Sequence, residues 1–184
     1  MHAADLDENL ILLMANGDGN AFTEFYNQTS SIVYGFALSI LRNKQDAEDV
    51  MHDAFIKAYT SAVTYRPMGK PMAWMLTIVK NLCYNRIRSG RIFEDIDEYE
   101  DAAVSDELQD TVTDKAILQQ ALKILDAEER QIVTLYSVTG LKHREIAEIM
   151  EMPTGTVLSK YNRALAKMRK ELTGDGGKGK GGRK

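Results

Sequence analysis

Residues 141–172 read LKHREIAEIMEMPTGTVLSKYNRALAKMRKEL, and no other segment constrains the fold as tightly. Ile146, Ala147, Ile149 and Met150 give a short first helix one apolar face. Glu151, Met152 and Pro153 break it, and a second helix starts near Thr154. That second helix carries Val157, Tyr161, Ala164, Leu165 and Met168 at helical spacing, which predicts one packed stripe. Its charged residues up to Lys170 are all basic: Lys160, Arg163, Lys167, Arg169 and Lys170. Two short helices at a sharp turn, the second buried on one side and cationic on the rest, form a helix-turn-helix suited to duplex DNA. Thr154, Thr156, Ser159, Lys160, Asn162, Arg163 and Lys167 are the residues left to face the duplex. Early residues of such a helix reach base edges and later cations meet phosphate. Arg163 suits a bidentate contact to guanine and Asn162 one to adenine.

The remainder also reads as helical. Strand alternation is absent, and only three prolines, Pro67, Pro71 and Pro153, interrupt. The pattern predicts helices near 6–15, 20–42, 46–62, 71–89, 113–124, 127–138, 142–150 and 154–172. Asp126 with Glu129 forms a capping-box pattern, Gly140 suits the end of the same helix, and Pro71 suits a first turn. Lys142 is a poor N-cap for the first helix of the helix-turn-helix. The expected fold is therefore all-α. The acidic stretch 93–112 reads as a flexible linker between a helical domain at 1–92 and a second at 113–172. The Gly/Lys-rich tail 173–184 cannot bury a core and is expected to be disordered.

The net charge of −4 over 184 residues hides strong segregation. Residues 61–92 carry Arg66, Lys70, Lys80, Arg86, Arg88 and Arg91 with no acid, whereas 94–130 is strongly acidic. Within the basic stretch Tyr65, Trp74 and Tyr84 alternate with the cations. Cations for phosphate beside flat faces for unstacked bases are what single-stranded nucleic acid requires. Lys80, Tyr84 and Arg88 recur every four residues and should share a helix face, with Asn81 and Asn85 beside them. Trp74, one turn before Ile78, reads as core. Tyr65, Arg66 and Lys70 fall in a loop broken by Pro67 and Pro71, where packing explains less. On the preceding helix Asp46, Glu48, Asp49, Asp53 and Lys57 are left for the surface once Ala47, Val50, Ala54, Phe55 and Ala58 are packed. An acidic row of this kind is a solvated face or a partner's docking face.

These separated segments together resemble the extracytoplasmic-function (ECF) group of bacterial RNA polymerase sigma-70 factors. DAEDVMHDAFIKAY at 46–59 resembles region 2.2, MAWMLTIVKNLCYNRIR at 72–88 resembles region 2.4, and 125–172 resembles region 4. The resemblance implies a first domain that grips the polymerase clamp through Asp46, Glu48, Asp49, Asp53 and Lys57. It implies that the same domain reads the −10 element as single strand through Tyr65, Arg66, Lys70, Lys80, Asn81, Tyr84, Asn85 and Arg88. The second domain would bind the polymerase flap and read the −35 duplex. An anti-sigma partner, often anchored in a membrane, is implied as well. Pro67, Met68, Pro71 and Met72 depart from the commoner small polar stretch, and Leu158 stands where the family often has a cation.

An enzyme is not expected. His2, His52 and His143 are scattered, Cys83 is alone, and no glycine-rich phosphate loop occurs, so no cofactor or metal is expected either. No signal peptide or membrane span is evident, and the cytoplasm is the expected location. The rival reading is a helix-turn-helix regulator that binds duplex DNA by itself, which leaves the basic aromatic stretch at 61–91 unexplained.

Overall fold

The computed structural model describes residues 6–90 and 122–173. The expected helix at 113–124 lies almost wholly outside these residues, as do the acidic stretch and the tail beyond Thr173. Among the described residues every regular element is helical. The order is α1 (Asn9–Ala15), α2 (Gly19–Leu41), α3 (Lys44–Ser61), a 3-10 turn (Ala62–Thr64), α4 (Pro71–Arg88), α5 (Ala127–Thr139), α6 (His143–Met150) and α7 (Thr154–Leu172).

Local chemistry sets most of the ends. Asp18 caps α2 by accepting the N–H groups of Asn20 (2.8 Å) and Ala21 (3.2 Å). Asn43 caps α3 by accepting Asp46 N–H at 3.0 Å, so that helix begins two residues earlier than the expected 46–62. Pro71 occupies the first turn of α4. Asp126 and Glu129 close the capping box of α5, which ends at Gly140 with φ 67°. Lys142 offers no side-chain cap to α6; instead Glu145 accepts Lys142 N–H at 2.8 Å. The α6–α7 turn passes through Glu151 at φ 55°, a left-handed backbone that costs a non-glycine residue about 1 kcal/mol.

Helices α1–α4 form a bundle around α2. Phe25, Phe36, Val50, Phe55, Met75, Leu76, Val79 and Cys83 are buried there, and Phe55 meets Phe25 edge-on with centroids 6.0 Å apart. Helix α5 is two-sided. Ile132 and Leu135 join the cluster that contains the α1–α4 core, while Leu125 and Val133 pack with Ala164 and Met168 of α7. Among the described residues the two halves thus share one apolar cluster. Polar contacts cross the same seam: Arg130 Nη1 donates to Ser39 O (3.4 Å), and Tyr84 and Gln131 meet at 3.5 Å.

The packed stripe of α7 differs from expectation at one position. Val157, Ala164 and Met168 are buried with Tyr161 half-buried, but Leu165 is 40% exposed. Positions 164 and 165 both satisfy helical spacing from Val157, and the close approach to α5 selects the smaller alanine.

Candidate nucleic-acid interface

Helix α7 is held against its neighbours by a ring cluster. Tyr161 lies 4.7 Å from Tyr136 of α5 and 4.9 Å from His143 of α6. The face turned away from this packing presents Leu158, Ser159, Asn162, Arg163, Arg169 and Lys170, all exposed and none acidic. Thr154 is exposed at the start of the helix and Thr156 is half-buried. Lys160 and Lys167 turn the other way. Lys160 pairs with Glu128 at 2.7 Å, and this carboxylate holds its ammonium above the ordinary lysine range. Lys167 pairs at 2.6 Å with Glu129, whose side chain is fully buried. Both lysines flank the buried stripe and reach the acidic first turn of α5, so they brace α7 instead of extending its open cationic face.

A second basic site lies where the loop after the 3-10 turn meets α4. A cleft of about 340 Å³ is lined there by Tyr65, Arg66, Met68, Lys70, Trp74 and Thr77 from the first half. Glu148 and Ile149 of α6 close its other side. Trp74 is half-buried rather than fully core, and its ring meets Tyr65 edge-on with centroids 4.9 Å apart. Arg66 is exposed and Met68 is 72% exposed. Lys70 Nζ donates to both carboxylate oxygens of Glu148 at 2.8 Å.

Along α4 the expected shared face divides. Tyr84 and Arg88 are exposed, as are Asn81 and Asn85, with Arg88 donating to Asn85 at 2.7 Å. Lys80 does not join them in solvent. It is buried, and its ammonium meets Glu151 at 2.5 Å. This pair pulls Glu151 below the usual carboxylate range. The covering helix α6 comes from the other half of the chain, so spacing along α4 could not reveal it. Glu148 and Glu151 were missed by sequence reasoning for the same reason.

On α3, Glu48, Asp49, Asp53 and Lys57 are exposed as expected. Asp46 is mostly covered instead. Arg86 of α4 donates through Nε to Asp46 (2.6 Å) and through Nη2 to Asp49 (2.8 Å), tying α4 to α3. Beside the exposed carboxylates stand Ile56, 64% exposed, and Val63, 69% exposed, which sequence reasoning had not singled out. Their place one and three turns beyond Asp53 was a readable signal. Among the described residues, no group of His, Cys, Asp and Glu is arranged to hold a metal ion, and no helix is long and apolar enough to cross a membrane.

Comparison with known proteins matches both halves. The family model for sigma-70 region 2 matches residues 25–92, and that for sigma-70 region 4 matches 115–168. The ECF RNA polymerase sigma factor SigK of Mycobacterium tuberculosis strain H37Rv is 28% identical over 175 residues, covering 91% of this chain and 93% of SigK. SigK of Mycobacterium sp. strain KMS is 29% identical over 164 residues, covering 85% and 84%. The fold is that of CnrH in complex with the cytosolic domain of CnrY (TM-score 0.66, 22% identity, 92% of this chain and 98% of CnrH). It is equally that of the sigma factor RpoE bound to the anti-sigma factor NepR from Bartonella quintana (TM-score 0.68, 23% identity, 84% and 98%). With region 2 on the α2–α4 bundle and region 4 on the helix-turn-helix, the chain belongs to the ECF group of the sigma-70 family.

Proposed function

We propose that this chain is the promoter-specificity subunit of an RNA polymerase, reading two promoter elements from two faces. The observation that carries the reading is the pairing of two basic faces on one chain, each on a matched sigma region. The exposed face of α7, with Ser159, Asn162 and Arg163 foremost, reads the −35 duplex in the major groove. The cleft around Tyr65, Arg66 and Trp74, with the outer face of α4, receives the −10 element as single strand. The exposed carboxylates of α3, with Ile56 beside them, meet the polymerase clamp, where a mixed acidic and apolar face suits a basic partner. The subunit performs no chemistry of its own and works in the cytoplasm with the polymerase.

The seam between the halves bears on how this happens. Glu148 and Glu151 occupy Lys70 and Lys80, so DNA phosphates take these carboxylates' place once α6 withdraws from α4. An anti-sigma protein that holds the halves together would keep the −10 face covered; CnrH and RpoE were both solved with a protein partner bound.

The test mixes the purified chain with core RNA polymerase and promoter DNA. The reading expects co-elution with the core enzyme and permanganate-reactive thymines in the −10 region. Failure to bind core, with occupancy of duplex DNA by the chain alone, overturns it in favour of a free-standing regulator.

A further inference from the structure

Between Tyr65, whose N–H closes the 3-10 turn, and Lys70, whose carbonyl opens α4, residues 66–69 belong to no helix or strand. Their shape must be imposed from elsewhere, and one carboxylate does so. Glu8 Oε1 accepts the Tyr65 hydroxyl at 2.5 Å, Met68 N–H at 2.9 Å and Gly69 N–H at 2.9 Å. Three donors converge on one oxygen from a segment 57 to 61 residues away in the chain. Glu8 immediately precedes α1, and α1 is fixed by the buried side chains of Ile11 and Met14. The anchor is therefore tied to the core. Gly69 sits at φ +68°, and a Cβ there would meet no atom within 4 Å, so glycine serves the backbone angle and not the space.

The result is a braced wall. Tyr65 is held by its hydroxyl to Glu8 and by its ring to Trp74, so it forms the side of the cleft instead of swinging free to stack. Arg66 and Met68, between the anchored positions, line the cleft. The hydrogen bond from Tyr65 and the two backbone N–H groups hold the Glu8 carboxyl below its usual range, against a smaller desolvation effect. It is therefore ionised at neutral pH, and the anchor weakens only in acid, as pH falls through that lowered value.

We propose that Glu8 is a positioning residue for promoter recognition, holding the 65–69 loop in the one shape that discriminates the −10 base entering the cleft. The inference rests on the reading of that cleft given above. It makes Glu8 act through Arg66, Met68 and Tyr65 without touching DNA. Its loss should cost base selectivity at one promoter position while core-polymerase binding, which uses α3, stays intact. A loop freed from its anchor accepts several bases about equally, so the preference at that position falls from roughly tenfold or more to about twofold.

The experiment uses holoenzyme reconstituted from the full chain and core RNA polymerase. Its probe is a pool of fork-junction DNAs randomised across the single-stranded −10 segment, with sequencing of the bound fraction. Wild type, Glu8→Ala, Glu8→Gln, Tyr65→Phe and Arg66→Ala are compared, with core affinity measured in parallel. The expected result is a flattened preference at one position in Glu8→Ala with unchanged core affinity. Glu8→Gln, whose amide oxygen can still accept the backbone N–H groups, should recover part of the preference. If Glu8→Ala does not fold, Tyr65→Phe removes a single donor and should flatten the same position partly. If Arg66→Ala alters the preference but Glu8→Ala, or Tyr65→Phe in its stead, leaves it at the wild-type level, the anchor is dispensable and the inference falls alone. If none of the variants alters any −10 preference, the assignment of the cleft falls and takes this inference with it.

Discussion

Replacing Ile132 by alanine asks whether the two halves share one core. Ile132 is fully buried on α5 and belongs to the same cluster as Phe25, Phe36 and Leu76 of the first half. The substitution removes three carbons, about 2.4 kcal/mol of transfer free energy at roughly 0.8 kcal/mol per methylene. The residual cavity adds to this, and measured losses for such changes run about 2–5 kcal/mol, so about 3 kcal/mol is expected. For a chain of this size that lowers Tm by roughly 6–12 °C. The chain contains one tryptophan, Trp74, which lies on α4 of the first half against Tyr65. Urea unfolding is followed in parallel by Trp74 fluorescence and by far-UV circular dichroism. A shared core predicts coincident transitions that move together to lower urea in the variant, although the substitution is in the second half. If the Trp74 midpoint stays at its wild-type value while helical signal is lost earlier, the α2–α5 seam carries no cooperativity and the reasoning fails.

Arg163→Ala should weaken holoenzyme binding to a −35 duplex by about 1–3 kcal/mol, roughly 5- to 150-fold, at unchanged core affinity in a titration. An equal loss of core binding would refute the division of roles between α3 and α7. Cys83 is fully buried and burial pushes its thiol up to about 12, so it should resist alkylation at pH 8 until the chain unfolds. The same shift has a sign for stability. Above the unfolded thiol's pKa of roughly 8.5–9 the unfolded state loses a proton that the folded state keeps, so stability falls with rising pH until about 12. Relative to Cys83→Ala, the wild type should lose about 1.4 kcal/mol per pH unit in that window, read by urea unfolding at pH 8 and 10; parallel curves would contradict it. Asp126→Ala removes the acceptor for Glu129 N–H and should destabilise α5 by about 1 kcal/mol in thermal melts, whereas an unchanged Tm would show that the cap is idle.

What the sequence made legible was local. The ends of α4, α5 and α7 follow from Pro71, Asp126 with Glu129, Gly140 and Pro153, each acting within a turn of itself. The helix-turn-helix was readable because its apolar spacing and its one-signed charge agree. Long-range pairing was not readable. Nothing adjacent to Lys80 in sequence announces Glu151, nor does anything near Tyr65 announce Glu8. Lys160 and Lys167 counted as free cations until α5 brought Glu128 and Glu129 beneath them. Asp46 likewise belonged to an acidic row until Arg86 of α4 claimed it. Charge counted along a helix overstates the free cationic surface wherever another helix folds over it. That is why the open cationic face of α7 contracts toward Asn162 and Arg163.

Sequencing the transcripts that core RNA polymerase makes from a randomised promoter library, with and without this chain, tests the central claim most directly. The account predicts start sites that appear only when the chain is added, each preceded by the same two short elements at one fixed spacing. Start sites identical to those of the core enzyme alone would contradict it.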